Sequence, residues 1–346
     1  MRKNHKKKLP IGVKIIIGIL IAVFVSGIGV YAFVQSQLSK INKAEATEAI
    51  DPSEEYFDED ESTEESGLAE LDPAEIQWAI NSEVMADKDV VNILLIGQDR
   101  REGESRARSD SMILATINKK KSTIQLTSFM RDLYVQIPGY SDNRINAAYA
   151  FGGMELLNAT IETNFGISID GNIEVDFAGF KTCIDKISGI DLELTQEEAD
   201  YLNEKGNWDD NNASAGTWNL TAGMNHLNGE QALAYSRIRY IGNSDYERTE
   251  RQRKVLMTAF SKMKDEDLST ILSLIDEAFP LLTTDITHGE LLGYAVNVVS
   301  MGVEEIESYR IPVDGTYQAA VIRKMQVLVP DLEANRQFLK ETLYLE

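Results

Sequence analysis

The sequence predicts an α/β protein: a single three-layer α/β/α domain with a central mixed sheet, preceded by one N-terminal transmembrane helix. Three observations lead to this prediction. An uncharged apolar run spans residues 15–34, short apolar strand patterns lie between residues 89 and 129, and amphipathic helical patterns alternate with strands further along the chain. Strands interleaved with helices favour a sheet covered by helices on both faces.

The N-terminus carries a membrane-anchor pattern. A basic tail, residues 1–14, precedes the apolar run of residues 15–34. About 20 such residues cross the hydrocarbon core of a bilayer as a helix, and the basic flank places the N-terminus in the cytoplasm. The alternative is a cleaved secretory signal with small residues at 30–32, but apolar signal cores span only about 7–15 residues. We expect a single-pass anchor in the cell membrane and an extracellular domain.

The charge balance limits the partners of the domain. The chain has 34 Lys and Arg against 56 Asp and Glu, a formal net charge of −22, so no nucleic-acid partner is expected. Residues 35–70 are acidic and poor in large aliphatic side chains. A segment of this composition buries too little apolar surface to order itself, and we expect a disordered stalk.

An extracellular catalytic domain is predicted over residues 71–346. It begins with a helix at 71–85, for which Asp72 is the cap and Pro73 the first residue. Strands are then predicted at 89–98, 109–117, 122–129, 190–194 and around 306–312. Helices are predicted at 144–166, where Gly166 ends the helix, at 175–188 and 227–236, and from a cap at Asp245 through Val255. The C-terminal part, residues 258–346, is predicted to be mainly helical.

Arginines of this acidic chain concentrate in residues 233–256. Arg237 and Arg239 share a face if their segment is extended, because side chains two residues apart point the same way. On the following helix Arg248, Arg251 and Gln252 fall at i, i+3 and i+4, in its first turns, where free N–H groups favour an anion. Arg253 and Lys254 are expected to face solvent. Each arginine taken alone could instead form a surface salt bridge, such as Glu247–Arg251.

A second charged segment, residues 99–110, includes Arg101 and Arg108. If the strands on either side of it are hairpin neighbours, Asp99 and Asp110 meet at one end of the sheet, and Arg131 follows another strand toward that end. Carboxylates hold a hard divalent cation, and guanidinium groups bind phosphate oxygens in pairs. The combination therefore suits a magnesium pyrophosphate.

Seven blocks in this order resemble the LytR–CpsA–Psr family: "LLIGQDR", "RSDSMILATIN", "SFMRDLYVQIPG", "RINAAYAFGG", "VDFAGF", "LNGEQALAYSRIR" and "DYERTERQRKVL". The likeness covers residues 89–257, nearly the whole family domain. Two positions depart from the family pattern: Gln98 stands where many members have serine, and Arg144 where lysine is frequent.

The resemblance implies a magnesium-dependent enzyme that transfers a glycopolymer, such as wall teichoic acid or capsule, from a polyprenyl-pyrophosphate carrier to a peptidoglycan hydroxyl. It assigns Mg²⁺ to Asp99 and Asp110. It assigns pyrophosphate binding to the arginines Arg108, Arg131, Arg237, Arg239 and Arg248, and Gln252 matches a polar residue of the same lining. Catalysis is expected from Asp99, Asp110, Arg108 and Arg131, with Arg101 and Arg251 as further pyrophosphate contacts.

The chain has few of the residues that a disulfide or a zinc site requires. With Cys183 as its one cysteine and three histidines, the chain holds no disulfide and no cysteine-based zinc site. A polyprenyl-pyrophosphate pyrophosphatase and a non-catalytic envelope sensor remain as alternatives. The segment 203–219 is either a surface loop anchored by tryptophans or a contact for the acceptor glycan through Trp208 or Trp218. The sequence does not define the polymer, the general base or the lipid-binding residues.

Overall fold

The computed structural model describes residues 32–45, 47–60, 67–78, 83–98, 109–205, 218–242, 244–265, 277, 279–303 and 306–345. Most of the predicted transmembrane helix, residues 15–31, lies outside these ranges. Within them, every helix is too short or too polar to span a bilayer.

The described elements alternate between helices and strands along the chain. In order they are α1 (32–38), β1 (Asn42–Lys43), β2 (Val90–Gln98), β3 (Ser109–Asn118), β4 (Thr123–Phe129), β5 (Tyr134–Val135), β6 (Asn143–Arg144), α2 (Ile145–Phe165), β7 (Gly171–Asp176), α3 (Phe177–Lys186), β8 (Ile190–Leu194), α4 (Gln196–Lys205), β9 (Gly223–Leu227), α5 (Gly229–Arg237), α6 (Ser244–Asp265), β10 (Leu282–Thr284), α7 (His288–Met301), β11 (Ile306–Ile311), β12 (Tyr317–Ile322), β13 (Met325–Pro330) and α8 (Leu332–Leu339).

A mixed sheet of seven strands forms the centre of the fold, in the order β1-β10-β7-β2-β3-β4-β11. β2 runs parallel to β7 and antiparallel to β3, while β4 runs antiparallel to β3 and parallel to β11. The carboxyl ends of β2, β4, β7 and β11 therefore lie at one edge of the sheet, together with the amino end of β3. The predicted strands at 89–98, 109–117 and 122–129 are β2, β3 and β4, within a residue or two.

Helices cover both faces of this sheet. Alternate side chains of β2 and β3, such as Leu94 and Leu114, pack against α2 and α8 on one face. Their neighbours Val91, Ile93 and Ile117 pack on the other face against Leu291 and other residues of α7. Side chains of α6 contact the same face. This alternation matches the period-2 pattern of strands with two buried faces.

Helix α2 ends at the residue that the sequence predicts. Gly166 adopts a left-handed conformation with φ 66°, and its N–H donates to the carbonyl of Glu162. Glycine takes this conformation without the steric penalty of a Cβ. Inside the helix, Gly152 and Gly153 depart from helical angles and kink it.

A second, smaller core lies beside the sheet and is formed by α3, α4, α5 and the β8–β9 ladder. Its buried side chains include Ile184, Leu192, Leu202 and Tyr235, and Val255 of α6 joins them. Strand β8, predicted at 190–194, pairs with β9 and not with the central sheet. This unit holds the segment that follows α5 against the start of α6.

The acidic segment predicted to be a disordered stalk packs on the domain over residues 32–60. The N–H of Ile50 donates to the carbonyl of Phe151, and the ring of Tyr56 meets that of Phe151 edge-on. Both carboxylate oxygens of Glu55 accept from Ser141. The prediction failed because it counted only apolar side chains, whereas this segment is held by hydrogen bonds to polar groups of the domain. Residues 61–66 lie outside the described ranges.

Residues 71–85 do not form the predicted helix. Asp72 does cap a turn that begins with Pro73, but the turn ends at Glu75 and Ile76 is extended. The N–H of Leu71 donates to Val321, and Leu71 and Ile76 pack against the β12–β13 hairpin. Tertiary pairing with this hairpin therefore overrides the local helical pattern; residues 79–82 are not described.

The described residues of the C-terminal part, 258–346, include four strands as well as helices. The strand predicted around 306–312 is β11, which extends the central sheet beside β4. β10 adds to the opposite side next to β7, and β12 pairs with β13 as a hairpin. The prediction of a mainly helical part with one strand therefore missed β10 and the β12–β13 hairpin. β10 is short and finds its partners β1 and β7 in distant parts of the chain.

Candidate active site

The edge of the sheet where β2, β4 and β7 end brings together charged residues from four segments. Gln98 at the end of β2 pairs in register with Ser109 at the start of β3, as the hairpin prediction required. Asp110 therefore lies at this edge, and Arg131, two residues after β4, reaches the same place. Arg239 follows α5 and Arg248 lies in the second turn of α6.

Arg131 is the cation that contacts most of the acidic groups at this edge. Its guanidinium nitrogens lie 3.5 Å from Asp110, 3.4 Å from Asp132 and 3.6 Å from Asp245. These carboxyl groups come from β3, from the turn after β4 and from α6. One side chain therefore joins three elements that are far apart in the sequence.

Arg239 approaches two of the same carboxylates. Its Nη2 lies 3.7 Å from Asp110 and its Nε 3.6 Å from Asp245. Arg237 is the last residue of α5 and so does not lie in the predicted extended segment. The backbone leaves the helical conformation one residue later, at Ile238. Its guanidinium carbon lies 4.5 Å from the centre of the Phe177 ring.

Arg248 is almost fully buried at the centre of the cluster, with its side chain 3% exposed. Its Nη1 lies 2.8 Å from Oδ1 of Asp245, one turn earlier on α6. The two groups do not meet the angles of a hydrogen bond, and both Nε and Nη1 of Arg248 lack an acceptor among the described residues. A buried donor without an acceptor is expensive. These N–H groups are therefore suited to an anionic ligand.

The pKa values show how strongly these groups interact. Burial and the neighbouring charge of Arg131 lower the pKa of Arg248 to about 10. Burial and Arg131 also lower the pKa of Arg239. Burial alone would raise the pKa of Asp245, but the charges of Arg248, Arg131 and Arg239 outweigh it and the pKa is lowered. Arg131 thus opposes the charges of Arg239 and Arg248, although carboxylates pair with all three, and a bound anion would relieve this repulsion.

Two acidic residues of the cluster were missed by the sequence analysis. Asp132 is buried behind Arg131, and burial raises its pKa despite the adjacent arginines. Asp245 was expected only as a helix cap, whereas its carboxylate contacts three arginines. Their positions in the sequence could have indicated that they contact the predicted arginines, because Asp132 is adjacent to Arg131 and Asp245 precedes Arg248 by three residues.

Gln252 contacts the strand that carries Asp110. The hydroxyl of Ser111, next to Asp110 on β3, donates to Oε1 of Gln252 at 3.1 Å. This contact holds α6 against the strand that carries Asp110.

Arg251 does not join the cluster. Its Nε donates to Glu198 at 2.8 Å and its Nη2 to Glu247 at 2.7 Å, and it also contacts the carbonyl of Ile238. The i, i+4 pairing with Glu247, which the sequence offered as the alternative, is the one found. We therefore remove Arg251 from the proposed pyrophosphate site and regard it as a structural link between α6 and α4.

Arg253 does not face solvent as expected, whereas Lys254 lies half-buried at the surface. Arg253 is 6% exposed and donates to the hydroxyls of Ser128 and Ser308 on β4 and β11. The ammonium group of Lys254 donates to the carbonyl of Glu193. Helix α6 therefore buries more of its surface than its polar sequence indicates, because the central sheet and the second core pack on different sides of it.

Several predicted site residues lie outside the described ranges. They are Asp99, Arg101 and Arg108, all in the loop 99–108 between β2 and β3. The ends of this loop are held together by the Gln98–Ser109 pairing. Trp208 also lies outside, while Trp218 packs against the second core. That packing agrees with the anchoring role expected for Trp218, while residues 206–217 lie outside the described ranges.

Asp110 fits the requirements of a magnesium ligand. Its side chain is 35% exposed, and both of its ion-pair distances exceed 3.4 Å. Mg²⁺ commonly takes one or two carboxylates and completes its shell with water and substrate phosphates. Across the described residues, no group of three acidic, histidine or cysteine side chains could enclose a metal on its own. A magnesium ion here would depend on Asp110, Asp99 and the substrate.

A comparison with protein families and known proteins agrees with this geometry. The family model LytR_cpsA_psr matches residues 31–341. The chain belongs to the LytR–CpsA–Psr family.

Two curated relatives illustrate the range of names within this LytR–CpsA–Psr family. The chain is 32% identical over 240 residues to the polyisoprenyl-teichoic acid–peptidoglycan teichoic acid transferase TagU of Bacillus cereus, covering 67% of this chain and 71% of TagU. It is 29% identical over 233 residues to the regulatory protein MsrR of Staphylococcus aureus, covering 66% of each. One relative is thus named for a transfer reaction and the other for regulation.

Solved structures of the family share the fold. TagT bound to LI-WTA superposes with a TM-score of 0.60 at 25% identity, over 78% of this chain and 99% of that one. The family protein YwtF (TagT) with bound octaprenyl pyrophosphate lipid gives a TM-score of 0.57 at 23% identity, over 78% and 99%. The mixed α/β architecture with a central mixed sheet is therefore the architecture of the family.

Proposed function

We propose that this LytR–CpsA–Psr protein is a membrane-anchored extracellular phosphotransferase. It moves a glycopolymer, such as wall teichoic acid or capsule, from a polyprenyl-pyrophosphate carrier to a hydroxyl of peptidoglycan and forms a phosphodiester. The reaction depends on Mg²⁺. TagU, a relative at 32% identity, is named for a reaction of this kind, and a structure of the same fold holds octaprenyl pyrophosphate.

One observation carries this proposal: three arginines from separate segments converge on one sheet edge with donors left free for an anion. Arg131, Arg239 and Arg248 surround Asp245 within 3.6 Å, and two nitrogens of Arg248 lack an acceptor in the described part of the chain. Burial and the charge of Arg131 lower the pKa of both Arg239 and Arg248, and cations crowded in this way suit a ligand with two or more negative charges. A pyrophosphate meets this requirement.

The chemistry follows from the charges that develop during transfer. The acceptor hydroxyl attacks the phosphorus nearest the polymer, a new P–O bond forms, and the bond from that phosphorus to the bridging oxygen breaks. Polyprenyl monophosphate leaves with the electron pair, and the hydroxyl proton passes to a nearby carboxylate or to water. Preplaced guanidinium groups stabilise the charge on the phosphoryl and leaving oxygens, which is the main protein contribution in phosphoryl transfer.

Asp110, with Asp99, is proposed to hold the magnesium ion at this edge. When bound, the ion would neutralise charge on the pyrophosphate oxygens. Asp110 is suited to this position because its exposed oxygen lies between Arg131 and Arg239. Arg131 and Arg239 would then hold the ligand from the protein side, while Asp110 fixes the side that faces solvent.

The membrane anchor rests on the sequence of residues 1–34. A basic tail before an uncharged apolar run would keep the domain outside the cell and close to the bilayer. A polyprenyl carrier is itself held in that bilayer, so a tethered enzyme would meet its donor substrate there. No ATP is needed outside the cell, because the pyrophosphate linkage supplies the driving free energy.

Transfer of a labelled polyprenyl-pyrophosphoryl sugar to peptidoglycan fragments tests this function. The purified full chain should form the phosphodiester product with Mg²⁺, and Asp110→Ala should lose most of it. Asp191→Ala is the matched control, because within the described part of the chain this exposed aspartate pairs with His226 alone, on the β8–β9 ladder. Equal product from wild type and Asp110→Ala would remove the assignment of Asp110.

The same assay separates the alternatives. A pyrophosphatase would release the sugar phosphate at the same rate with and without peptidoglycan fragments. A regulatory protein, as the name of MsrR suggests, would bind the lipid without turnover. Product that requires the acceptor excludes both alternatives.

A further inference from the structure

We infer that Asp60 and Asp132 are positioning residues for Arg131: Asp132 contacts Arg131 directly, and Asp60 acts on Asp132 through the buried guanidinium of Arg144. The inference rests on the proposed function, in which Arg131 contacts the pyrophosphate. The four side chains alternate acidic and basic groups, from the N-terminal segment to the sheet edge. Asp60 thereby links the acidic segment of residues 32–60 to the candidate active site.

The first step lies between Asp132 and its two arginines. Oδ2 of Asp132 is 3.4 Å from Nε of Arg131, and Oδ1 is 3.5 Å from Nε of Arg144. The two oxygens of one carboxyl group thus serve different cations. A movement of Asp132 toward either arginine must weaken its contact with the other.

The second step is the fixed position of Arg144. Its side chain is 10% exposed, and its Nε and Nη2 donate to the carbonyl of Gln326 at 3.2 and 2.7 Å. Nη2 also donates to the carboxylate of Asp60. A buried guanidinium needs both hydrogen-bond acceptors and a countercharge. Asp60 provides the countercharge from a segment that lies 84 residues before Arg144 in the sequence.

The third step is the way Asp60 is itself held. Its carboxylate accepts from the N–H of Gln326 at 2.7 Å, and its own N–H donates to the carbonyl of Lys324. The hairpin that provides these groups also binds Asp132 directly, because the N–H of Leu328 donates to the carbonyl of Asp132 at 2.9 Å. The β12–β13 hairpin therefore sets the separation between Asp60 and Asp132.

The consequence for Arg131 follows from this shared geometry. Without the charge of Asp60, Arg144 retains Asp132 as its carboxyl partner in the described structure. Asp132 should then be drawn toward Arg144, and Arg131 should turn toward Asp110 and Asp245, its other partners. That rotation would misplace a donor for the transferring phosphoryl group, and small displacements of such groups reduce rates strongly.

The alternative is that Asp60 only fastens the N-terminal segment to the domain. Glu59 provides the matched control for this reading. It is the adjacent residue, its carboxylate forms an exposed ion pair with Lys324 on the same hairpin, and it has no contact with Arg144. A variant at Glu59 removes one fastening ion pair and leaves the path to Arg131 intact.

The experiment compares Asp60→Asn, Asp60→Glu and Glu59→Gln in the full chain by two measurements. The first is the Nε–Hε resonance of Arg131 in ¹⁵N-labelled protein, assigned by its loss in Arg131→Lys. The second is the kcat and KM of the transfer assay. Asp60→Asn should shift the Arg131 resonance. It should lower kcat about tenfold, which corresponds to about 1.4 kcal/mol. KM for the lipid should change less than about twofold, because the variant misplaces Arg131 but does not remove it. Asp60→Glu should restore both partly, and Glu59→Gln should change neither.

The spectroscopic measurement keeps this inference separate from the proposed function. A wild-type protein without transfer activity would overturn the function, while the Arg131 resonance would still decide whether Asp60 positions that side chain. An unshifted resonance in folded Asp60→Asn, or an equal shift in Glu59→Gln, would overturn the inference. If Asp60→Asn does not fold, Arg144→Lys, which keeps the charge but not the fork toward Asp132, must shift the resonance for the inference to stand.

Discussion

Asp245 and Arg248 face each other across one turn of α6, with carboxylate and guanidinium 2.8 Å apart. The pair does not neutralise the cluster, because Arg131 and Arg239 also approach the same carboxylate at 3.6 Å. Arg248 keeps two buried nitrogens without an acceptor in the described ranges. The helix thus supplies both the counter-ion that holds the arginines together and the donors that a ligand would use.

Replacement of Arg248 by glutamine should reduce activity more than stability. Loss of a charged hydrogen bond removes about 1.5–3 kcal/mol, so kcat/KM for the polyprenyl-pyrophosphate donor should fall roughly 10–150-fold. The free energy of unfolding should fall less than in Arg251→Met, because Asp245 loses one partner but keeps Arg131 and Arg239, and the variant removes a buried cation whose pKa is lowered to about 10. Steady-state kinetics and urea unfolding measure the two effects. Lys254→Gln, on the same helix but outside the cluster, should leave kcat/KM unchanged.

Arg251 should behave in the opposite way. Its guanidinium is 5% exposed and pairs with Glu198, which is 9% exposed. Removal of one partner of a buried pair typically costs about 3–5 kcal/mol. Arg251→Met should therefore destabilise the protein by roughly this amount, and the double variant Glu198→Gln, Arg251→Met should recover part of the loss.

Denaturant unfolding of the single and double variants measures this coupling. The folded fraction of Arg251→Met should retain the kcat/KM of the wild type. A large loss of kcat/KM at unchanged stability would return Arg251 to the pyrophosphate site.

The neighbouring carboxyl groups of Asp132 and Asp245 should titrate on opposite sides of the ordinary aspartate pKa of 3.8. Burial raises the pKa of Asp132, whereas Arg248, Arg131 and Arg239 lower that of Asp245 against the effect of burial. Asp245 therefore contributes stability above pH 3.8, and this contribution is lost as the pH falls through its lower folded value. Asp132 opposes folding as the pH rises above 3.8.

Carbon-13 NMR of labelled aspartate carboxyl groups between pH 2 and 7 measures both titrations. Asp132→Asn should remove the higher transition and flatten the pH dependence of stability above pH 3.8. A reversed order of the two pKa values would contradict the charge distribution described for the cluster.

Gly166→Ala should destabilise the end of α2. The residue has φ 66°, and an added Cβ would lie 3.0 Å from the carbonyl oxygen of Glu83. The left-handed conformation costs a residue with a Cβ about 1–2 kcal/mol. Gly289→Ala is the control, since this residue lies in α7 with no heavy atom near its Cβ position. That variant should be neutral or stabilise the protein by up to about 1 kcal/mol. Thermal unfolding compares the two variants, and an equal loss in both would exclude the proposed cause.

The sheet edge could be predicted because strands 89–98, 109–117 and 122–129 have strong local patterns. Once β2 and β3 pair as a hairpin, Asp110 must lie at their open end, and Arg131 must follow β4 to the same edge. Arg239 and Arg248 were recognised from their density in one segment and from the family resemblance. These inferences need only periodicity, hairpin geometry and the positions of the blocks.

The partners of these residues could not be predicted in the same way. Helical spacing predicts that Arg248 and Arg251 share one face of their helix. In the structure Arg248 contacts Asp245, whereas Arg251 contacts Glu198 of α4. Spacing defines a helix face but not the element that packs on it. The sequence likewise gave no reason to place Asp60 beside Arg144, because their pairing depends on the backbone of the β12–β13 hairpin.

By itself the sequence determined the α/β architecture, the strands of the sheet centre and the family, since these depend on local apolar patterns and ordered motifs. Only the tertiary structure decided which arginines converge on the sheet edge, that residues 32–60 pack on the domain, and that β10 and β11 complete the sheet. The physical reason is common to all three. Buried charges and short strands are stabilised by partners from distant segments, and those partners are chosen by the packing of the whole chain.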